Sequence, residues 1–341
     1  MVTPKKIWLL SSLGAGLLLL SVCFALGVGS AQVGWGKATA GLIAEWLGGG
    51  AALTPSERAI LIELRLPRIL LTGLVGMSLS VSGAVFQALL RNPLADPFVL
   101  GLSGGAAVGA LLCIALGMVA PFVTPVASFI GALLTIVLVL GTAGSGGRLR
   151  TTTVLLTGVI VNAFCTSIIM LILTMSTEQK IHEMLFWLYG DLSSARYRGV
   201  LFLAPLAVLS IGIILAHARG LNILMTGEES ALHLGVPVER YKWTLFGVGS
   251  LLTGAVVSVS GIIGFVGLII PHLVRMAFGA DHRLLLPLSA LLGAVFLVTA
   301  DAAARLVLAP NEVPVGVVTA ALGSPFFILL LRRKGSQWQM S

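Results

Sequence analysis

Charge is what this sequence has least of. Asp, Glu, Lys and Arg make up 10% of its 341 residues, against about 25% in an ordinary soluble domain. With so few charges a water-soluble fold of this length could not solvate its surface, which excludes that class. Cysteine is scarce too. Cys23, Cys113 and Cys165 each sit inside an apolar run without CxxC spacing, so they read as small packing residues, not as a disulfide framework or a metal site. A phosphate-binding loop is missing. No GxxxxGK(S/T) occurs; GWGKAT follows its lysine with Ala38, and GTAGSGGRLR has Gly147 where the lysine would stand. The chain therefore has no visible means of hydrolysing ATP. Its histidines, His182, His217, His233, His272 and His282, form no HExxH and no paired Cys/His spacing, which leaves them structural or interfacial.

What is present is apolar: 57% of the residues, with a mean hydropathy of +1.05. Ten runs can span a bilayer: 7–28, 69–90, 98–117, 121–143, 152–175, 199–217, 243–263, 265–278, 284–307 and 314–331. Spans need about 20 residues to cross roughly 30 Å of hydrocarbon, and two of these are short. The first follows Lys5 and Lys6 and imitates a secretory signal. Its apolar core exceeds the usual 7–15 residue h-region, so it reads as a transmembrane helix, with a cleaved signal as the alternative. The expected fold is all-α, polytopic, with about ten transmembrane helices and both termini on one side.

With the N-terminus in the cytoplasm, 13 of the 21 Lys and Arg residues fall inside and 8 outside, in the direction that the positive-inside rule requires. The net charge of +8 thus belongs to topology, not to nucleic acid. No ionisable side chain lies near the middle of any span, where a proton- or sodium-coupled carrier keeps one at a cost of about 2.5–3.5 kcal/mol. Asp301 and Arg305 sit at an outer helix end, four apart, spaced to pair on one face. Gly105 and Gly109 form a GxxxG, and Gly254, Ser258 and Gly261 share a face, the composition of close helix packing in lipid.

Polar segments interrupt the pattern. Between spans 6 and 7 lies MTGEESALHLGVPVER, residues 225–240. Thr226 and Glu229 fit a capping box, Gly235 fits a left-handed helix end, and Pro237 fits a first helical position. The expectation is two short helices joined by a glycine elbow, serving either as a surface loop or as a docking site for a cytoplasmic partner. RNPLADPFVLGLSGGAAVGA, 91–110, breaks a helix pair on the inner side with two prolines. GFVGLIIPHLVR, 264–275, is a short span with Pro271 and His272 near its inner end, where a lone histidine reads as structural.

These segments, with RLPR at 65–68 and NEVPVGVVTAALGSPFF at 311–327, resemble the FecCD-type permeases, membrane subunits of ABC importers for iron–siderophores, haem and vitamin B12. The likeness runs from about residue 60 to the C-terminus; before that it covers position and helix type only. Glu312-Val313-Pro314-Val315-Gly316 has valine where the family usually has leucine.

The resemblance implies a single permease domain over 1–341, in the type II importer fold. It makes the loop 219–242 the coupling element against the ATPase, with Glu228, Ala231, Leu232, Leu234 and Gly235 at or near the contact. It implies that Arg65, Arg68 and Arg305 dock a periplasmic binding protein through salt bridges, the alternative being snorkelling at the membrane interface. It implies a cytoplasmic gate at Asn92, Leu94, Thr151 and Thr152; as a plain alternative, Thr152 is a helix cap or interface residue.

The implied partners are two copies of an ABC ATPase, which carry the ATP and Mg, a periplasmic binding protein, a second permease copy and membrane lipid. No cofactor or metal is expected in this chain, and no catalysis by it alone. The expected location is the bacterial inner membrane with both termini cytoplasmic, and the expected cargo haem or a ferric siderophore, with cobalamin as the alternative. An ion-coupled carrier and an integral membrane enzyme are the competing classes; the first lacks a mid-membrane carboxylate, the second a polar cluster at membrane depth.

Overall fold

The computed structural model describes residues 3–29, 34–46, 53–118, 120, 122–144, 148–309 and 311–334. The terminal residues 1–2 and 335–341 lie outside these, as do 145–147.

The chain enters through α1 (Pro4–Gly27), where Thr3 caps and Pro4 takes the first position, a pairing that satisfies a free backbone N–H and presets φ. Two elements then precede the second span. α2 (Trp35–Trp46) is a short helix that packs on α1. α3 (Pro55–Arg58) opens with a capping box between Thr54 and Glu57, then runs through a π-helical stretch, Ala59–Arg65, into α4 (Leu66–Leu89).

α4 is the hub. Nearly every one of its residues is buried, and it packs on α1, α9, α12, α13 and α14. Its small residues explain the position, because they let neighbours close in. A Cβ on Gly83 would run into the Gly267 carbonyl of α13.

The turn 91–96 leads to a 3-10 turn, Pro97–Leu100, and then α5 (Leu102–Ala115). α6 (Val123–Ala143) returns along α5. The GxxxG lies at this contact: a Cβ on Gly105 would meet the Gly131 carbonyl and Thr135 Oγ1, and one on Gly109 the Ala127 carbonyl. α7 (Thr151–Thr174) follows, then the amphipathic α8 (Glu178–Leu188), then α9 (Tyr197–Ala216).

At the other end of the bundle come α10 (Ala218–Leu224) and α11 (Glu228–His233). α12 (Val238–Ser260), α13 (Val266–Phe278), α14 (His282–Val307) and α15 (Val315–Lys334) complete the chain.

Each of the ten runs read from the sequence contains an α-helix. Seven helices are long and apolar enough to cross a membrane by length and composition; the segments Leu102–Ala115, Val266–Phe278 and Val315–Leu329 are shorter. α13 rises only about 20 Å over its 13 residues. Residues 261–264, outside any helix, precede it, and Phe265 takes a left-handed φ of 69° at its cap. Irregular backbone at such depth persists only where protein covers it. Here Phe265 packs against Gly323 of α15. The short helices α2 and α8 have no counterpart among the expected elements, because at 12 and 11 residues neither is long enough to stand out in a search for spans.

Candidate functional site

The loop between α9 and α12 contains α10, α11 and the first turn of α12. α11 is held to the body by Ala231, which is fully buried against Leu224, Val236 and Val238. Its other face is bare: Leu232 is 60% and Leu234 68% exposed. Gly235 ends it with φ +79°, the left-handed turn its sequence expects.

Three expectations for this loop are corrected. The N-cap of α11 is Gly227, with no side-chain cap. Thr226 Oγ1 instead donates to Ile223 O at 2.8 Å, because its short hydroxyl reaches back to the end of α10. Pro237 stands at the cap of α12 and Val238 takes the first helical position. The second short helix is therefore the start of a transmembrane helix, since nothing after Pro237 breaks the pattern. Ala231 points inward, so Leu232 and Leu234, not Ala231, form the apolar outward side of α11.

The loop is bonded to two other segments. Glu239 Oε2 accepts from Leu149 N at 2.8 Å. Lys242 Nζ donates to Leu149 O at 3.0 Å and pairs with Glu228 at 2.7 Å and Glu239 at 3.9 Å. Leu149 is buried, and Lys242 is 5% exposed. Two residues on, α7 begins with Thr151, half-buried, and Thr152, exposed. Arg150 occupies the N-cap and no side chain caps the helix, so Thr152 is not the cap.

At the loop's other end, Arg91 donates to Leu224 O at 3.3 Å. Arg91 precedes Asn92, whose side chain accepts from Leu94 N at 2.9 Å, an Asx turn that sets the direction of the break. Asn92 is exposed and Leu94 half-buried. The following turn lies on α7 where Gly158 meets Val99 O and Leu100, about 10 Å along the helix from Thr151. Asp96 caps that turn by accepting from Phe98 N at 2.8 Å, yet burial pushes its carboxyl above the ordinary value, to about 6. The sequence flagged Asn92, Leu94, Thr151 and Thr152 but not Arg91, Leu149, Glu239 or Lys242. Only the three-residue spacing of Glu239 and Lys242 hinted at a pair.

A second anchor lies beside it. Asn222 Nδ2 donates to Asp281 at 2.8 Å, and Arg283 pairs with Asp281 at 2.6 Å. The Arg283 guanidinium, with Asn222 behind it, holds the Asp281 carboxyl well below the usual carboxylate range.

At the opposite end of the bundle, Arg65, Arg68 and Arg305 are all buried. Arg68 makes a fork on Asp301, with Nη2 at 2.8 Å and Nε at 3.0 Å, and its Nη1 donates to Glu312 at 2.7 Å. Arg305 pairs with Asp301 at 3.3 Å, as the four-residue spacing expects, and donates to Val28 O and Ala25 O. Arg65 donates to Leu26 O at 2.6 Å. Two of the guanidiniums thus satisfy carbonyls at the C-terminal end of α1, where cations are favoured. They neither snorkel nor project from the surface. Of this group, Glu312 reaches solvent, 39% exposed. His272 lies buried in α13 with its ring 5.9 Å from that of Phe327.

Comparison with known proteins agrees with this architecture. The model of the FecCD transport family matches residues 17–333. A cobalamin import system permease protein of Halobacterium salinarum is 45% identical over 277 residues, 81% of this chain and 74% of its own. A hemin transport system permease protein of Yersinia pestis is 43% identical over 289 residues, 82% of this chain and 84% of its own. An uncharacterized ABC transporter permease of Bacillus subtilis is 44% identical over 285 residues, 82% and 80% of the two chains. A solved metal-chelate type ABC transporter in an inward-facing conformation superposes with a TM-score of 0.83 at 30% identity, over 97% of this chain and all of that one. The chain is the multi-pass permease subunit of an ABC importer, not itself an enzyme, and it belongs to the FecCD transport family.

Proposed function

We propose that this permease admits a metal chelate, haem or a ferric siderophore, from the periplasm to the cytoplasm. Relatives named for hemin and for cobalamin stand at 43% and 45% identity, which supports the chelate class. The cobalamin relative keeps cobalamin as the second reading. Binding assays on the partner binding protein with haem, ferric siderophores and cobalamin test the cargo: tight binding of haem or a ferric siderophore is expected, and selective binding of cobalamin overturns it.

ATP hydrolysis belongs to a separate subunit, and its work enters at 219–242. The observation that carries this reading is the bonding of the loop to both gate segments, through Arg91 to the turn of Asn92 and Leu94, and through Glu239 and Lys242 to the start of α7. Leu232 and Leu234 are the bare apolar knobs that a partner cleft would cover, with Glu228 and Gly235 beside them and Ala231 beneath. When two ATPase copies close on ATP and Mg, the loop is displaced as a body, and the segments of Asn92, Leu94, Thr151 and Thr152 move with it. Such rigid displacement tilts the spans and alternates access.

A second copy of the chain completes the pathway. The row Leu156, Val159, Ile160 and Phe164 on α7 is exposed and supplies an apolar face for it. The excess of Lys and Arg on one side supports 219–242 and both termini in the cytoplasm of a bacterial inner membrane, and residues 1–341 are read as one permease domain. The binding protein docks at Arg65, Arg68 and Arg305. Because Arg68 is already paired, docking proceeds by exchange: an acidic residue of the binding protein replaces the half-exposed Glu312 on the guanidinium.

A further inference from the structure

Away from the gate and from the buried arginines, the bundle holds a cleft of about 840 Å³ between α6 and α9. Sites for organic ligands usually run from about 300 to 1,000 Å³, so this is more than a packing defect. Val126 and Phe129 of α6 form one wall and Phe202 of α9 the other, with the Phe129 and Phe202 rings edge to face at 5.8 Å. Leu71 of the hub helix forms part of the floor. Beyond the cleft both helices present bare apolar side chains, Ile130, Leu134 and Val137 on α6 and Leu201, Val208 and Leu209 on α9. This face is apolar enough to lie against lipid. Water gains little in such a slot, where it finds few polar partners.

The mouth is different. Arg196 and Arg198 stand there at the start of α9, at the bundle end opposite the 219–242 loop. Arg198 lies 5.4 Å over the Phe122 ring, and Arg196 donates to its neighbour Ala195 O at 2.9 Å. Neither has an ion pair among the described residues. Glu63 also lines the mouth, so two guanidiniums face one carboxylate. An unneutralised guanidinium takes phosphate through paired N–H donors. An apolar slot open to hydrocarbon and topped by cations matches one ligand chemistry, an acyl chain ending in an anionic phosphate.

We propose that this cleft binds one anionic phospholipid, with an acyl chain between Phe129 and Phe202 and the phosphate on Arg196 and Arg198. Placing it in the periplasmic leaflet rests on the orientation proposed above; the binding itself does not.

The test uses the purified full-length permease, delipidated in detergent, without ATPase or binding protein, so its failure is separate from any failure of the transport reading. Retained lipid is measured by native mass spectrometry after titration with phosphatidylglycerol or phosphatidylcholine. Phosphatidylglycerol should bind at one per chain with about thirtyfold preference, as two cations near a membrane surface imply. Arg196→Gln with Arg198→Gln should erase the preference while leaving weak binding of both lipids. Gly199→Leu, whose side chain would enter the cleft toward Leu71, should abolish both. Absence of retained lipid in the unaltered protein, or equal retention in both variants, overturns the proposal. So does displacement of the lipid by millimolar inorganic phosphate. Lipid preference unchanged in the double variant would free the arginines of any phosphate role and equally overturn it.

Discussion

Replacing Lys242 with Met isolates the bond between the loop and the start of α7. The ammonium makes a 2.7 Å pair with Glu228 and a 3.0 Å bond to Leu149 O, almost out of solvent. Hydrogen bonds to charged groups contribute about 1.5–3 kcal/mol each, and breaking a fully buried pair costs about 3–5 kcal/mol. Here the side chains of Glu228 and Glu239 are 45% and 36% exposed, so both carboxylates regain water when the lysine is gone. That places the loss near the low end, about 2 kcal/mol. Methionine keeps the aliphatic stem, so little packing is lost. A loss of that size reduces the population of the bonded arrangement by about 30-fold. Glu239 still accepts from Leu149 N, and the attachment weakens without vanishing. In liposomes holding the permease, its ATPase and the binding protein, uptake and ATP hydrolysis are measured together. Cargo moved per ATP should fall about tenfold or more while the complex stays assembled and hydrolysis continues, and Lys242→Arg should restore most of it. Unchanged uptake per ATP in a folded Lys242→Met protein would refute the idea that this bond transmits the stroke.

Four further outcomes are expected. Leu232→Glu puts a charge on the bare face of α11 and should uncouple hydrolysis from uptake with normal insertion; the same assay reads it. Glu312→Gln removes the anion competing for Arg68, so the binding protein should bind several-fold tighter by surface plasmon resonance, and unchanged affinity would count against docking by exchange. Asp96→Asn keeps a good cap but removes a carboxyl whose folded value lies above the unfolded one. Its favourable contribution is full below about pH 4 and lost as pH rises through about 6; the variant should thus gain about 1–3 kcal/mol of stability at pH 7.5 and almost none at pH 4, seen as a Tm shift. Gly105→Val drives a branched side chain into the Gly131 carbonyl and should cost at least about 1–3 kcal/mol by overpacking, with loss of folded yield on size exclusion.

The apolar helices were legible because a lipid bilayer acts residue by residue. Backbone groups in hydrocarbon must bond within their own segment, so each apolar run declares its helix. Gly105 and Gly109 declared a close contact for a similar reason, since a missing side chain can be seen without knowing the neighbour. Gly235 did so too, because its left-handed turn is a local event. Partners were not legible. Thr226 and Glu229 satisfy the spacing of a capping box, and the hydroxyl chose Ile223 O instead. Arg68 reads as an outer cation, but it meets Asp301 across 233 residues. Lys242 meets Leu149 across 93. A charge shows in the sequence what it needs, an opposite charge or a carbonyl, but not which of several will be brought within 3 Å. That is decided by how the helices pack, because only packing removes the water that would otherwise serve. The sequence alone thus determined a bundle of about ten membrane helices with a polar loop between the sixth and seventh. The tertiary structure decided that this loop is bonded to two separate segments at its end of the bundle, and that the arginines at the far end are held inside.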